Sequence, residues 1–475
     1  MMEVHVSLVG RQNLSGEIYR QLRGAILAGR LRPGDSLPST RELARSLSVS
    51  RTTVTAAYDR LAGEGFVSSR VGAGTFVSEN ARARPVTAKQ LRGDTLRPRA
   101  IWESVSLPTD LVRRARYDFR TGLPDAALFP YAVWRRLMGS ELRNDAVGSG
   151  RYGDPAGHRS LREAIARHIG VARAVDVAAD DIVITSGTQQ ALDVVARVLI
   201  GPGDRVAVED PGYPPPRSLF RTLGVRVTGV PVDDEGIVVD ALPHDARFVY
   251  VTPSHQYPLG VPMSLPRRLA LLAWADQHDA AIIEDDYDSE FRFGGRPIEP
   301  LQTLDRAGRV IYVGSFSKTV LPTLRLGFIV APASLRNALH RAKYVTDWHT
   351  SLLAQTTLAR FIDEGWFARH VRKLNKIYGL RREMIVDTLT RDFADHLDVI
   401  PSAAGLHLAA VARGMSVERV HAIVGQAFDA GVAVHALARF ALTLPPRPGF
   451  VLGYGAIATT RIREGLRRLK GCMES

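Results

Sequence analysis

From Tyr117 onward, helical patterns alternate with five short β-branched runs: Ile182-Val183-Ile184-Thr185, Arg205-Val206-Ala207-Val208, Phe248-Val249-Tyr250-Val251, Ala281-Ile282-Ile283 and Val310-Ile311-Tyr312-Val313. No other feature limits the fold as strongly. Runs that are apolar along their whole length have to be covered on both faces. A strand that rejoins its sheet through a helix runs parallel to its predecessor. The larger part of the chain is therefore predicted to be an α/β body around a mainly parallel sheet. From about Leu335 the pattern predicts helices followed by a smaller α+β unit. There are no internal repeats.

A chain of 475 residues exceeds one ordinary domain, and its first part reads differently. Leu14, Ile18, Leu22, Ile26 and Leu27 recur at helical spacing. Leu31-Arg32-Pro33-Gly34-Asp35 breaks that helix, and Ser39-Thr40-Arg41-Glu42 is a capping-box pattern that starts the next. Leu43 and Leu47 continue the buried face of this second helix. Ser48-Val49-Ser50 turns, with Ser50 placed to cap a third helix from Arg51 to about Ala62, whose inward face is Val54, Ala57, Tyr58 and Leu61. Arg51, Thr52, Thr53 and Thr55 point outward at its start, where such a helix meets the major groove of DNA. Gly65 to Arg70 and Thr75-Phe76-Val77 then flank the glycine-rich tip Val71-Gly72-Ala73-Gly74, a hairpin shaped as a wing.

Charge is concentrated in the same region. The chain carries a formal net charge of +13, and residues 1–116 hold 19 Lys and Arg against 10 Asp and Glu. That excess suits contact with a polyanion. Residues 80–116, with Arg82, Arg84, Pro85, Lys89, Arg92, Pro98 and Arg99, read as a basic linker in which Ile101, Trp102 and Leu107 can dock locally. Three regions result: a DNA-binding domain over 1–79, the linker over 80–116 and an α/β domain over 117–475.

The segment LRPGDSLPSTRELARSLSVSRTTVTAAYDRLAGEGFVSSRVGAGTFV resembles the GntR-type winged helix-turn-helix over nearly its whole length. That resemblance implies that Ser39, Arg41, Arg51, Thr52, Thr53 and Gly74 contact a double-stranded operator.

Chemistry in the larger domain centres on Gly314-Ser315-Phe316-Ser317-Lys318-Thr319, which follows a predicted strand. A lysine among hydroxyl residues, with Arg325 seven positions later, suits a cofactor that carries both an aldehyde and a phosphate. Upstream, Glu284-Asp285-Asp286-Tyr287 ends another predicted strand. An aspartate there can pair with a pyridinium nitrogen. Asp285 is read as that residue, and Asp286 and Asp288 as solvated. Thr185-Ser186-Gly187-Thr188-Gln189-Gln190 turns from strand into helix and can cradle a phosphate at the helix N-terminus.

These segments, with RYGDPAGHRSLREAI, EDPGYPPPR and TPSHQYPLG, resemble the aminotransferase-like, fold-type I pyridoxal-phosphate proteins from about Tyr117 to the end. The resemblance implies a Schiff base between Lys318 and pyridoxal 5′-phosphate, Asp285 on the ring nitrogen and Tyr287 near the ring O3′. It further implies that Ser186, Gly187, Thr188, Ser315 and Arg325 bind the phosphate and that Tyr213 stacks on the ring. Tyr152 would reach the cofactor of a neighbouring subunit, which implies a homodimer. Two positions depart from working aminotransferases. Tyr257-Pro258-Leu259-Gly260 has tyrosine where an asparagine is usual, and Arg439 is a loose match to the C-terminal arginine that binds a substrate or effector carboxylate.

A wing-helix domain joined to such a domain is similar to the MocR subfamily of GntR-like regulators. What this implies is a transcriptional regulator, not an enzyme, that responds to pyridoxal phosphate itself or to an amine or amino acid joined to it. The alternative is an active aminotransferase with an appended DNA-binding domain; a cofactor-free scaffold ranks third. The single cysteine, Cys472, permits no internal disulfide and no cysteine-based metal cluster, and no metal site is predicted. Without a leader or an apolar run of spanning length, the protein is expected to be soluble and cytoplasmic, with no membrane partner.

Overall fold

The computed structural model describes residues 6, 8, 13–70, 73–79, 97–108, 113–143, 150–294 and 299–474. Val71 and Gly72 of the hairpin tip, and Arg82, Arg84, Pro85, Lys89 and Arg92 of the basic stretch, lie outside the described residues. The chain divides into two compact units, Met1–Pro98 and Arg99–Ser475. No helix among the described residues is long and apolar enough to cross a membrane.

The first unit contains helices α1 (Leu14–Leu27), α2 (Thr40–Ser46) and α3 (Arg51–Gly63) and strands β1 (Ser36–Leu37), β2 (Val67–Arg70) and β3 (Gly74–Val77). Both halves of the capping box form at α2: the Glu42 amide donates to Ser39 Oγ at 3.2 Å and the Ser39 amide to Glu42 Oε2 at 2.9 Å. Ser48, at φ 53°, turns the chain, and Ser50 Oγ then accepts from the Thr53 amide at 3.1 Å to start α3. The three strands form an antiparallel sheet in the order β1-β3-β2. Ile18, Leu22, Ile26, Leu43, Val54, Ala57, Tyr58 and Leu61 make the core. Leu27, predicted to be inward, is instead 36% exposed, and Tyr19 takes the inward place. Leu27 lies five residues after Leu22, about 140° around the helix, whereas Tyr19 lies three before it.

The second unit is built on an eight-stranded sheet in the order β5-β12-β11-β10-β9-β6-β7-β8. Its members are β5 (Ile182–Thr185), β6 (Arg205–Asp210), β7 (Arg226–Asp233), β8 (Gly236–Ile237), β9 (Ala246–Val251), β10 (Ala281–Asp286), β11 (Val310–Ser315) and β12 (Gly327–Val330). All five β-branched runs lie in it. β7, β6, β9, β10 and β11 are parallel, while β12 is antiparallel to both of its neighbours. The link from β11 to β12, residues 316–326, is too short for a helical crossover, so β12 returns alongside β11. Apolar clusters cover the sheet on both faces. The long helix Trp366–Asp392 leads into a four-stranded antiparallel sheet, order β13-β14-β17-β16. Its strands are β13 (Leu397–Val399), β14 (His407–Ala412), β16 (His435–Ala436) and β17 (Gly449–Gly453), while β15 (Val432–Ala433) pairs with β4 (Tyr117–Asp118).

Parallel strands bring their carboxyl ends to one edge, which is where such sheets bind ligands. Asp210, Val251, Asp286 and Ser315 end central strands there, and Thr185 ends the edge strand β5 on the same side.

The core of the first unit is small, so the loss of one side chain is felt by the whole unit. Leu61→Ala removes a fully buried side chain and is expected to cost about 2–5 kcal/mol. Urea unfolding should show an early transition of this unit, with the transition of the larger unit unchanged.

Candidate cofactor site and nucleic-acid interface

The carboxyl edge of the sheet opens on a cavity of about 270 Å3. Asp285, at the end of β10, is 3% exposed and lines it. Its Oδ2 accepts from Tyr250 Oη at 2.7 Å, while Oδ1 is buried with no hydrogen-bond partner. Burial pushes this carboxyl up to about 7, against the Tyr250 hydrogen bond; Asp286 adds to the rise and Lys318 opposes it. A buried carboxyl group that lines a cavity and meets no cation within hydrogen-bond reach suits a ligand N–H.

Lys318 stands in the loop after β11, and its Nζ donates to the Gly122 carbonyl at 2.8 Å. Burial lowers its pKa, with Asp288 and Asp285 opposing and Arg325 reinforcing the shift. The amine is thus biased toward its neutral, nucleophilic form. Arg325, held at φ 51°, donates from Nη2 to the Ser186 carbonyl at 2.8 Å. Gly187, at φ 84°, precedes the helix Thr188–Leu199, and a Cβ there would meet Arg325 Nη2 at 2.8 Å. Guanidinium, helix N-terminus, Ser315 and Ser317 give this end of the cavity the donors that an anion requires.

Thr188, Tyr213, Asp285, Tyr287, Ser315, Lys318 and Arg325 are brought together on this cavity. Ser186 and Gly187 are not on its wall: the Ser186 hydroxyl turns to Thr350 Oγ1 at 3.3 Å, and its amide donates to Gln190. Tyr287 donates to the His255 carbonyl at 2.8 Å, and Tyr213 packs edge-on to Tyr257. Tyr257 hydrogen-bonds Thr121 Oγ1 at 2.7 Å. Tyr152 is 75% exposed and stacks on Trp348. Arg439 lines a different cavity of about 460 Å3, with Arg113, Arg120 and His421.

Asp286 and Asp288, read as solvated, are buried. Asp286 Oδ2 accepts from Tyr312 at 2.6 Å and Arg173 at 3.0 Å, and Asp288 Oδ2 accepts from the Leu406 amide at 3.1 Å and contacts His255 Nδ1 at 3.2 Å. Their partners are distant in sequence, so nothing beside them signalled burial. Sequence reasoning also missed Tyr250, Thr252 and His407 on the cavity wall. A tyrosine inside an apolar strand run was the one available signal, because a buried hydroxyl needs a partner.

In the first unit, Arg41, Arg51 and Thr52 at the starts of α2 and α3 and Gly74 in the hairpin are exposed, and Thr53 is half-buried. The exposed Ser39 already uses its hydroxyl on the α2 cap, and Arg51 Nε reaches Thr40 Oγ1 at 3.4 Å.

Residues 14–77 match the bacterial regulatory proteins of the gntR family, and residues 116–446 match aminotransferase class I and II. The chain is 38% identical over 458 residues to the probable rhizopine catabolism regulatory protein MocR of Rhizobium meliloti, spanning 96% of this chain and 92% of that protein. It is 34% identical to the pyridoxine biosynthesis transcriptional regulator PdxR of Corynebacterium glutamicum, over 78% of each chain. Among solved structures, the kynurenine aminotransferase of Pyrococcus horikoshii, in complex with PMP, superposes with a TM-score of 0.70 at 28% identity, covering 82% of this chain and 97% of that one. The α-aminoadipate aminotransferase LysN of Thermus thermophilus, complexed with N-(5′-phosphopyridoxyl)-L-leucine, gives a TM-score of 0.71 at 29% identity, covering 79% and 96%. The chain belongs to the MocR-type regulators of the GntR family, which join a gntR DNA-binding domain to an aminotransferase class I and II domain.

Proposed function

We propose that this regulator binds pyridoxal phosphate in the cavity at the strand ends and an operator through its first unit, and that it reports the state of the first to the second. One observation carries the reading: a buried lysine amine, a carboxyl group with no cationic partner in hydrogen-bond reach and an anion-binding end line a single cavity. Bound there, pyridoxal phosphate supplies an aldehyde and an electron-withdrawing ring. Lys318 Nζ, oriented by the Gly122 carbonyl, is the amine that takes the aldehyde. The Asp285 carboxyl accepts the ring N–H and is held in place by the Tyr250 hydroxyl. Arg325, Thr188 and Ser315 bind the phosphate, Tyr213 covers the ring face, and Tyr287 stands near O3′ with its hydroxyl held by His255. Ser186 and Gly187 act behind this wall, Ser186 by fixing Arg325 and Gly187 by leaving it room.

The molecule works as a homodimer in this reading, Tyr152 serving the partner subunit and leaving its own cavity free. Ser39, Arg41, Arg51, Thr52, Thr53 and Gly74 contact operator DNA. The signal is pyridoxal phosphate itself, or an amine or amino acid whose amine displaces that of Lys318. In either case occupancy biases a two-state equilibrium of the chain. Turnover is absent or vestigial. The second reading, a working aminotransferase, is favoured by the retention of Lys318 and Asp285; sustained conversion of an amine and a keto acid at metabolic rates would establish it.

Lys318→Ala protein mixed with pyridoxal phosphate should lack the visible absorbance that the wild type acquires, and equal colour would remove Lys318 from its role. Arg51→Ala should weaken operator binding by about 1–3 kcal/mol in a gel-shift titration while leaving that absorbance intact. Operator affinity should also fall by about 10³–10⁵ between 50 and 200 mM salt if six to ten phosphates are contacted. For the cofactor-free chain the pH dependence has a definite sign. The Asp285 carboxyl titrates near 7 when folded and near 3.9 when unfolded. Raising the pH from 4 to 8 therefore charges the unfolded state first and erodes stability, the loss being complete above 7. The urea midpoint should fall over this window, and Asp285→Asn should flatten the fall.

A further inference from the structure

A second cavity, of about 620 Å3, borders the same strand ends. Ser315 lies on its wall and on that of the cofactor cavity. Asp286 lines it where the preceding Asp285 lines the first, as the alternation of side chains along β10 requires. Ile169, Phe316, Phe328, Phe367 and Val371 give it an apolar face. Most of its charged groups are already matched: Arg173 pairs with Asp286 at 3.0 Å, Arg167 with Asp363 at 2.8 Å, and Arg292 has partners of its own.

Two groups on the wall are not matched among the described residues. The Glu290 carboxyl is half-buried and bonds only its own backbone amide. Burial pushes it up to about 8; Asp286 and Asp288 add to the rise, while its own amide and Arg173 oppose it. The Arg372 guanidinium is exposed on the same wall and pairs with no described residue. One side chain ties the two together. Asn375 Nδ2 donates to the Glu290 carbonyl at 2.7 Å, and its Oδ1 accepts from the Arg292 amide at 3.3 Å. Arg372 stands three residues earlier on the same face of the helix Trp366–Asp392. The Glu290 backbone is thus anchored one helical turn, about 5.4 Å, from Arg372.

We propose that this cavity is a second ligand site, which takes a small zwitterionic amino acid with an apolar side chain: the ammonium on Glu290, the carboxylate on Arg372 and the side chain against Phe316, Phe328 and Phe367. An ammonium and a carboxylate on one carbon match an acid and a guanidinium one turn apart, and each ligand charge gains a partner for the water it gives up. No bond to the cofactor forms, so the site is separate from that of an amine that displaces Lys318. Its occupant lies against the end of the strand that leads to Lys318, because Ser315 closes both walls.

N,N-Dimethyl-L-leucine tests this, because a tertiary amine cannot form a Schiff base. Calorimetric titration into full-length protein, with and without pyridoxal phosphate, should show it binding in both cases. N-Acetyl-L-leucine, which lacks the positive charge, and N,N-dimethyl-3-methylbutylamine, which lacks the carboxylate, should each bind at least about tenfold more weakly, a difference of about 1.4 kcal/mol. Glu290→Gln should weaken the zwitterion by a similar factor and leave N-acetyl-L-leucine unchanged. Arg372→Gln should weaken the zwitterion and leave the dimethylamine unchanged. Neither residue lines the cofactor cavity, so both variants should acquire the visible absorbance of the wild type. A zwitterion that does not bind, a half-ligand that binds as tightly, or a variant that holds the zwitterion as the wild type does overturns the site. Binding that pyridoxal phosphate abolishes places the ligand in the cofactor cavity and overturns it as well. Protein that takes up no cofactor fails the earlier reading and leaves this test intact on the cofactor-free chain.

Discussion

Three consecutive carboxylates at the end of one buried strand are the constraint around which the larger unit is organised. Glu284, Asp285 and Asp286 close β10, each 5% exposed or less, and side chains alternate between the faces of the sheet. Glu284 and Asp286 share one face. There Glu284 accepts the amides of Leu301 and Gln302 beside Arg268, and Asp286 takes Arg173 and Tyr312. Asp285 faces the other way and meets no arginine, only the Tyr250 hydroxyl and, further off, the Lys318 amine. Buried carboxylates that lack full compensation resist ionisation. The same strand thus carries two carboxylates that tie helices to the sheet through arginines and backbone amides and one, on the other face, that lines the cavity without an arginine partner.

The first unit solves a different problem, stability in a body too small for a large core. Two of its helices begin at side-chain caps, Ser39 at α2 and Ser50 at α3, and its apolar residues come from every element. Local propensity, capping and pattern all point the same way there, which is the condition for a short chain to specify one structure. Exposed Arg41, Arg51 and Thr52 are carried at the starts of helices whose buried residues hold them in position.

Legibility in the sequence followed the distance along the chain over which each feature is decided. The alternating runs announced the parallel sheet, and Ser39 with Glu42 announced a cap, because each pattern lies within a few residues. Lys318 and Arg325 were legible together for the same reason. Asp286 was misread because its cation, Arg173, stands 113 residues away, and Asp288 because His255 stands 33 away. Tyr250 and His407 reach the cavity from β9 and β14, elements that only the tertiary fold brings to the ends of β10 and β11. The turn of β12 against its neighbours was decided by the length of one link rather than by any residue type.

The anion end of the cavity is assembled from backbones in contact. A side chain at Gly327 would meet Gly187 Cα and the Gly314 carbonyl at 2.9 Å, and one at Gly187 would strike the Arg325 guanidinium. Such a corner tolerates almost no drift, since Gly327 is held by the other two glycines and Gly187 by the guanidinium itself. The opposite wall is made of ordinary side chains from separate loops and strands. Exchange of wall residues such as Thr121, Leu123, Leu406 and His407 is therefore sterically open in a way that exchange at the anchoring corner is not.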